Sequence, residues 1–330
     1  MCQHTPTDSD ALLSLLQQVS ENYQEPPPPA PPRRGKQRDF SALSFLLLAV
    51  VAVTTRTFRD SELHKLLTRD AALLSALGFP RVPHRTTIGR RLSGLVPEAE
   101  AQVAALGERI SGEMRPQPGH SQVSAIDGRM YEARGPKWHK ADREKGRVPV
   151  SLRDVDTEST WSKSGYRGWV QGYRLTLQGL VWPCPVPLWA AWRANHANEA
   201  AVATRAIEES RLQVTGALLG DTTYGTEPFT AAYAAAGGWV LTPRQLPDWR
   251  GSWKRDLYAY RKETIELLFQ RVVQACDLKA CPSKGRDRNG AFVIASVWLY
   301  QVVFLSNYRA GRPAAHIKEQ LDLARWRIAA

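Results

Sequence analysis

The spacing of apolar residues over the first third of the chain predicts helices. The stretch SDALLSLLQQVSENY has apolar positions at helical spacing after a Ser-Asp start, and predicts a short amphipathic helix. The proline-rich, basic stretch QEPPPPAPPRRGKQRD follows, so residues 1–38 are predicted to be a short helix and an extended linker. Over residues 39–115 every segment has helical spacing, and FSALSFLLLAVVAVTT is apolar nearly all round. This part of the chain is predicted to be an all-helical domain with one buried helix.

Two helical pieces of this domain, joined by FPRVPH, have the lengths and spacing typical of a helix-turn-helix. Thr86 or Thr87 is the predicted N-cap of the second piece. Arg85, Arg90 and Arg91 would give this helix basic groups that suit DNA phosphates. The alternative is a small helical bundle whose exposed face happens to be basic.

Beyond RPQPGH the pattern changes to short runs of strand-forming residues. Five such runs are QVSAIDGRMYEA, YRLTLQGLVW, VPLWAAWRA, GALLGDTTYG and GWVLTPR. Two amphipathic helices, NEAAVATRAIEESRLQ and RKETIELLFQRVVQAC, alternate with the later runs, and the apolar helix GAFVIASVWLYQVVFLSN is predicted to pack against the sheet. Residues 116–310 are therefore predicted to form a layered α/β or α+β domain. Residues 311–330 are predicted to be a peripheral basic tail.

The charge balance narrows the choice of partner. Lys and Arg number 44 against 32 Asp and Glu, a formal net charge of +12, which favours double-stranded DNA over a small-molecule substrate. A basic surface that only keeps the protein soluble is the alternative. The start of the chain lacks a basic signal-peptide region, and the apolar run from Phe45 to Val53 is shorter than the ~20 residues that span a bilayer. We expect no membrane partner and a cytoplasmic, nucleoid-associated protein.

The 4 cysteines are scattered along the chain, which is typical of reduced thiols and not of a disulfide framework. Cys276 and Cys281 lie close together in sequence. A zinc site would need further ligands at short spacing, and none are nearby. These two residues are therefore predicted to be plain thiols.

Two aspartates lie in or directly after apolar runs that look like buried strands. Asp127 is inside VSAIDGRM, and Asp221 follows ALLG. Aspartate is a poor strand residue and is costly to bury without a partner. Alone, each could be a turn or cap residue, but together they could share a hard cation such as Mg²⁺ or Mn²⁺.

A third oxygen ligand is offered by the helix YAYRKETIELLFQRVVQAC. Its predicted buried stripe consists of Ile265, Leu268, Phe269, Val272 and Cys276. Glu266 lies about 90° from the centre of this stripe and Glu263 about 150°. Glu266 could therefore reach the edge of a sheet, whereas Glu263 points to solvent. The alternative is a surface helix with ordinary Glu and Arg pairs.

An aspartate in a first strand, an aspartate after a later strand and a glutamate on a following helix form a recognisable order. The chain resembles the bacterial insertion-sequence DDE transposases, and is most similar to those with a Y-R-E signature around the glutamate. The stretches that carry the resemblance are SAIDGRMYEARGPKWHKADREKGRVP, DTESTWSKSGYRGWVQGYRLTL, LLGDTTYGTEP and YRKETIELLFQRV. The resemblance covers residues 120–310 well and the helical region before them loosely.

The resemblance implies a ribonuclease-H-like mixed sheet with flanking helices, preceded by the all-helical domain. Asp127 would lie on the first strand, Asp221 at the end of the fourth and Glu266 on a later helix, and together they would hold two Mg²⁺ ions, or Mn²⁺. Such ions activate an attacking water or 3′-hydroxyl and neutralise the leaving oxygen. The implied partners are the element ends and target DNA, bound by a homodimer.

The spacing of the signature departs from the family pattern by one residue. Tyr258 and Arg261 fit its first gap, but Glu266 is then one position too far along, whereas counting from Lys262 restores the second gap only. Either basic residue could therefore bind phosphate. Beside Asp127, a basic and aromatic loop offers further candidates for DNA contact, which are Lys137, Trp138, His139 and Lys140. Packing of the tryptophan inside the loop is the alternative for that residue.

Two other functions share these features. One is a non-catalytic DNA-binding protein derived from a transposase, and the other is a standalone metal-dependent nuclease that cuts DNA without strand transfer. All three acidic positions of the family pattern are occupied by Asp or Glu, which favours an active enzyme over the non-catalytic protein.

Overall fold

A mixed β-sheet organises the structure, a computed structural model that describes residues 8–26, 40–114, 121–243 and 253–325. Its strands within these ranges are β1 (Val123–Glu132), β2 (Thr160–Ser164), β3 (Gly168–Leu180), β4 (Val186–Ala194), β5 (Ala217–Leu219) and β6 (Trp239–Leu241). The five predicted runs all contain a strand. β2 was not predicted, because the sequence TWSKS is too polar to show the pattern of a buried strand.

The order of the strands identifies the fold. β3 pairs antiparallel with β1 and with β4, and its first residues pair with β2. β5 runs parallel to β1, and β6 parallel to β5. The order β4-β3-β1-β5-β6, with three antiparallel strands followed by two that are parallel to β1, is the ribonuclease-H-like arrangement. Parallel neighbours need crossover connections, and helices supply them here.

Helices precede, cross over and follow the sheet. They are α1 (Asp8–Glu21), α2 (Ala42–Thr55), α3 (Asp60–Arg69), α4 (Ala71–Ala76), α5 (Arg85–Ser93), α6 (Val96–Glu113), α7 (Lys140–Glu144), α8 (Glu199–Glu208), α9 (Glu227–Ala235), α10 (Trp253–Cys276), α11 (Arg286–Arg309) and α12 (Lys318–Arg325). The helical character of the chain before the sheet is thus as predicted. Helices α8 and α9 form the two crossovers to β5 and β6.

The apolar helix α11 lies in the core. It packs against β4, as the sequence predicts, and also against α2 and α6. By length and composition it could span a membrane, but 94% of its apolar window is buried inside the protein. The buried Gln301 amide donates to the carbonyl oxygens of Val103 (3.0 Å) and Pro187 (2.9 Å), so one side chain fastens α11 to both α6 and the sheet.

One apolar core runs through the helices and the sheet. It contains Leu12 of α1, Phe45 of α2, Leu177 of β3 and Phe292 of α11. The helical part therefore shares its buried surface with the sheet, and the boundaries at residues 39, 116 and 311 remain a prediction.

The basic tail is not peripheral as predicted. Helix α12 packs against α1, and Ile317, Leu321 and Ala324 are buried at a spacing of one helical turn. The short amphipathic pattern is obscured in the sequence because basic residues surround it. The buried stripe of α10, by contrast, is as predicted, and Cys276 and Cys281 are buried and form no disulfide bond in the described part of the chain.

Candidate catalytic site

Two aspartates meet at one edge of the sheet because β1 and β5 run side by side in parallel. Ala125 pairs with Leu219, the last residue of β5. Asp127 and Asp221 each follow this pair at the same distance along the chain, so the parallel register carries both to the same edge. β1 continues along β3 as far as Glu132. Asp127 therefore lies inside the first strand, as predicted, at the point where the parallel pairing has ended.

The Asp127 carboxylate has a partner on each oxygen. Its Oδ1 accepts from the Gly128 N–H (2.8 Å), and its Oδ2 accepts from Nη2 of Arg261 (2.7 Å). Burial raises the pKa of Asp127, the Arg261 guanidinium and the Gly128 N–H oppose this, and the charges of Asp221 and Glu266 raise the pKa further. The charges of the other two predicted acidic residues thus act on Asp127.

Asp221 is also the cap of a tight turn. Its Oδ1 accepts from the Thr223 N–H (2.8 Å), which closes the single 3₁₀ turn Thr222–Tyr224. This bond orients the carboxylate directly after β5. The Asp221 side chain therefore caps the turn and also lies at the acidic edge, so these two interpretations do not exclude each other.

Helix α10 carries the remaining predicted residues of the acidic site. It packs on β1 and β3. Arg261 extends to Asp127, and its guanidinium lies 6.0 Å from the centre of the Tyr258 ring. Burial raises the pKa of Tyr258, Arg261 lowers it, and Asp221 and Asp127 raise it, so this ring also faces the acidic edge.

The residues left open by the spacing of the signature differ in their relation to Asp127. Arg261, and not the exposed Lys262, contacts Asp127. Glu263 and Glu266 are both exposed, and the charge of Glu266 is among those that raise the pKa of Asp127.

The carboxylate oxygens of the site are suitable ligands for a hard cation, but in the structure these side chains do not converge on one. Carboxylate oxygens are the ligands that Mg²⁺ and Mn²⁺ prefer. Within the described residues, no three His, Cys, Asp or Glu side chains are close enough together to hold an ion as they stand. Arg261 instead supplies the positive charge at Asp127. The chemistry of the site fits a metal, and the present positions of its side chains do not.

A fourth carboxylate lies at this edge and was missed in the sequence. Glu199 is the first residue of α8, and the charges of Asp127 and Asp221 both raise its pKa, although burial is the larger cause and Arg174 opposes it. In the sequence it looks like an ordinary acidic residue in the first turn of an amphipathic helix. The available signal was its position, immediately after the turn that follows the buried strand β4.

The basic loop beside Asp127 offers less to DNA than predicted. Trp138 is buried, its indole N–H donates to the Arg147 carbonyl (2.9 Å), and its backbone N–H donates to Gln171 (2.7 Å). It is therefore a packing residue and is not available for base stacking. Lys137 is exposed and pairs with Glu132 (3.2 Å).

Two loop residues remain. His139 is exposed directly before α7. Lys140 is the first residue of that helix, and its side chain lies outside the described part of the chain.

The predicted helix-turn-helix corresponds to α4 and α5. The N-cap of α5 is His84, whose Nδ1 accepts from the Thr86 N–H (3.4 Å), and not Thr86 or Thr87 as predicted. Arg91 donates to the Phe40 carbonyl (3.3 Å) and its guanidinium lies 5.0 Å from the Phe45 ring, so it serves packing within the protein. Of the three predicted arginines, Arg85 and Arg90 are exposed.

Comparisons with known proteins give only weak structural similarity. No protein-family model and no curated protein matches the chain. Among solved structures, it is similar to a piggyBac transposase synaptic complex with hairpin DNA, with 11% identity and a TM-score of 0.39, over 100% of this chain and 83% of that one. It is also similar to a Mos1 transposase paired-end complex with left transposon end (12%, TM-score 0.22, 83% and 81%). A third is the Mos1 strand transfer complex (13%, TM-score 0.26, 98% and 96%).

With TM-scores below 0.5 these similarities carry no argument, so the fold rests on the strand order and the acidic residues on their own geometry. That geometry is Asp127 and Asp221 at one edge of a ribonuclease-H-like sheet, with Arg261 paired to Asp127 and the charge of Glu266 acting on Asp127.

Proposed function

We propose that this chain is a DNA transposase of the bacterial insertion-sequence type, which cuts the ends of its element and joins them to target DNA. The observation that carries the proposal is the parallel register of β1 and β5, which puts Asp127 and Asp221 at one sheet edge within the electrostatic reach of Glu266. An edge rich in carboxylates on a protein of net charge +12 suits a substrate that is itself a polyanion, provided that cations complete the site.

In this proposal Asp127, Asp221 and Glu266 hold two Mg²⁺ ions, or Mn²⁺. The ions would supply Lewis-acid chemistry at the attacking and leaving oxygens of a phosphodiester. The role of this chain is to orient its carboxylates. Arg261 releases Asp127 and is then positioned, beside Tyr258, to bind a DNA phosphate.

Basic groups away from the acidic edge hold the DNA in this proposal. Arg85 and Arg90 on α5, and Lys137 and His139 in the loop before α7, are exposed and suit phosphate contacts. We propose that two copies of the chain act together, since two element ends have to be joined to one target.

A non-catalytic DNA-binding protein is the second candidate, and one observation favours it. Arg261 neutralises Asp127 in the structure, and the described carboxylates do not converge on an ion site. A protein that had lost catalysis could keep this internal ion pair unchanged.

A cleavage and strand-transfer assay separates the two. Labelled duplexes from both flanks of the coding sequence, a supercoiled target plasmid and Mg²⁺ or Mn²⁺ provide the substrates. We expect cut ends and joined products from the wild type. Asp127→Asn, Asp221→Asn and Glu266→Gln should each lose at least about a hundredfold in rate, since metal-assisted charge stabilisation contributes several kcal/mol.

Glu263→Gln is the matched control, because it makes the same change at an exposed position of α10. It should cut and join like the wild type. Equal products from the wild type and Asp127→Asn would remove the enzyme from consideration. Cut ends without joined products would indicate the standalone nuclease.

A further inference from the structure

We propose that Glu199 is a positioning residue of the acidic site, which holds β1 beside Asp127 against the turn that begins at Asp221. This inference rests on the proposed function, and deepens it by adding a residue outside the predicted triad. Three contacts of one carboxyl group carry the argument, each with a different element.

The first contact anchors Glu199 to the sheet. Its Oε1 forms an ion pair with Nη1 of Arg174 on β3, and both side chains are nearly buried, at 13% and 11% exposure. Arg174 lies opposite Met130 of β1 and also donates to Ser162 of β2 (3.3 Å). The ion pair is therefore fixed to the middle strands and is not a surface pair that could break and reform freely.

The second contact reaches the turn after β5. Glu199 Oε2 accepts from the hydroxyl of Tyr224 (3.0 Å), a fully buried side chain at the end of the turn that Asp221 caps. The Tyr224 ring packs against Phe229 of α9, with ring centres 5.5 Å apart. A Cβ at Gly220 would lie 2.8 Å from that of Tyr224, so the turn closes tightly around this ring. Glu199 thus holds the turn through a rigid, buried side chain.

The third contact is with β1 itself. A side chain at Gly128 would overlap the Glu199 carboxylate, because the Oε2 atom occupies the space of a Cβ at that position. Gly128 is the residue next to Asp127, and its N–H donates to the Asp127 carboxylate. The glutamate therefore lies directly against the backbone that orients Asp127.

These contacts place one carboxylate between the two segments that carry the aspartates. The short β5 pairs with β1 over three residues only, and that pairing ends at Ala125. Past this point no ladder hydrogen bonds of the described strands join β1 to the turn after β5. Glu199 spans this gap and so sets the separation of Asp127 and Asp221. A site that must hold cations needs this separation fixed by supporting residues.

Binding of Mn²⁺ alone, followed by the electron paramagnetic resonance signal of the free ion, tests the inference in the full-length protein. Glu199→Gln should weaken Mn²⁺ binding by roughly 10-fold to 100-fold, the usual effect of removing a supporting partner. Tyr224→Phe, which keeps the ion pair and the ring packing, should weaken it in the same direction by less. The double variant should bind no more weakly than Glu199→Gln, because both changes act through one contact.

Cleavage kinetics provide the second readout. In the proposed enzyme, both variants should lower kcat and leave KM for DNA unchanged, since Tyr224 is fully buried and Glu199 nearly so. Glu208→Gln, an exposed glutamate at the other end of α8, is the matched control and should behave like the wild type. A purely structural role would lower the unfolding temperature without changing Mn²⁺ affinity or kcat.

The outcomes separate this inference from the proposed function. If the wild type binds Mn²⁺ through Asp127 but both variants bind it as tightly, the inference is overturned and the function stands. If Mn²⁺ binding depends on Glu199 but no DNA is cut, the inference stands and the function is overturned. Should Glu199→Gln fail to fold, Tyr224→Phe decides alone, and unchanged Mn²⁺ affinity in that variant counts against the inference.

Discussion

At the scale of single residues, Arg261 gives the acidic edge its own cation. Its guanidinium pairs with Asp127 across a short distance, and its side chain lies beside the ring of Tyr258. An arginine in this position neutralises one carboxylate where Asp221 and Glu266 already repel it. The same guanidinium can exchange this carboxylate for a phosphate, since its planar donors suit both. The pair is therefore compatible with a site that changes partners when DNA arrives.

The raised pKa of Asp127 makes a prediction about stability without divalent ions. Because the pKa is higher in the folded than in the unfolded chain, this group stabilises the fold fully below the ordinary carboxyl pKa. The contribution is lost as the pH rises through the folded-state value. We expect the unfolding free energy of the wild type, minus that of Asp127→Asn, to fall as the pH rises above about 4, the ordinary carboxyl pKa. Urea unfolding in the presence of a chelator measures this difference.

The control for the pH series is Asp256→Asn, at an exposed position near the start of α10. The difference in unfolding free energy between the wild type and Asp256→Asn should change little over the same pH range. A difference for Asp127→Asn that rises with pH would show that the ion pair with Arg261 outweighs burial and repulsion.

At the scale of elements, the hairpin of β2 and β3 has exposed aromatic side chains, whereas the tryptophan of the basic loop is buried. Tyr166 at its tip is 97% exposed, and Trp169 is 61% exposed. Arg167 donates to the Met130 carbonyl (3.3 Å), which ties the tip to β1. The Trp161 indole donates to the Trp138 carbonyl (2.6 Å), so the basic loop contacts the hairpin. These two hydrogen bonds attach the hairpin to β1 and to the basic loop.

We predict that this hairpin stacks on bases if the chain binds DNA as proposed. Removing Tyr166 and Trp169 by alanine substitution should weaken binding of a duplex with single-stranded ends by about 1–3 kcal/mol per stacked base. Fluorescence anisotropy of the labelled duplex measures the change. Trp182→Ala, at a similarly exposed position of 66% in the turn after β3, is the control. Equal losses for the control and the hairpin variants would contradict the prediction.

How much of these elements the sequence predicts depends on periodicity. The stripe of α10 and the alternation of β1 are visible in sequence because burial follows the period of each element. The order of Asp127, Asp221 and Glu266 is visible for the same reason, since each lies in or beside a periodic segment. β2 and α12 are not predicted, because each has only a few buried positions among many polar and basic residues, so no periodic pattern is visible in the sequence.

Partners that are distant in sequence escape such reasoning. The interaction of Glu199 with Tyr224 joins residues that lie on either side of β5, and the burial of Trp138 depends on Gln171 of another strand. The pairing of Arg261 with Asp127 likewise depends on how α10 crosses the sheet. These contacts are set by tertiary packing and leave no periodic signal along the chain.

At the scale of the whole molecule, the helices before and after the sheet share one core. α1 packs against α12, and both contact α2. Leu12 and Leu321, at opposite ends of the described chain, belong to the same apolar cluster. The helical part and the sheet should therefore unfold together.

A substitution in α12 tests this coupling. Leu321→Ala should lower the free energy of unfolding by about 2–5 kcal/mol, the usual cost of emptying a buried leucine site. The loss should shift the transition seen by tryptophan fluorescence, to which the buried Trp189 and Trp192 of β4 and Trp298 of α11 contribute, as well as that seen by circular dichroism. Lys318→Ala, on the exposed face of the same helix, is the control. A shift confined to a small early transition would show that α12 unfolds separately.

The position of α11 in the core has a consequence for how the protein is made. Helices α2 and α6 bury apolar surface on α11, which leaves the ribosome about 170 residues after α6, or on the order of 10 to 30 s later at ~5–20 residues per second. During that interval α2, apolar nearly all round, has no partner from the C-terminal half of the chain. Nascent chains should therefore recruit chaperones until α11 emerges, and fragments that end before it should aggregate.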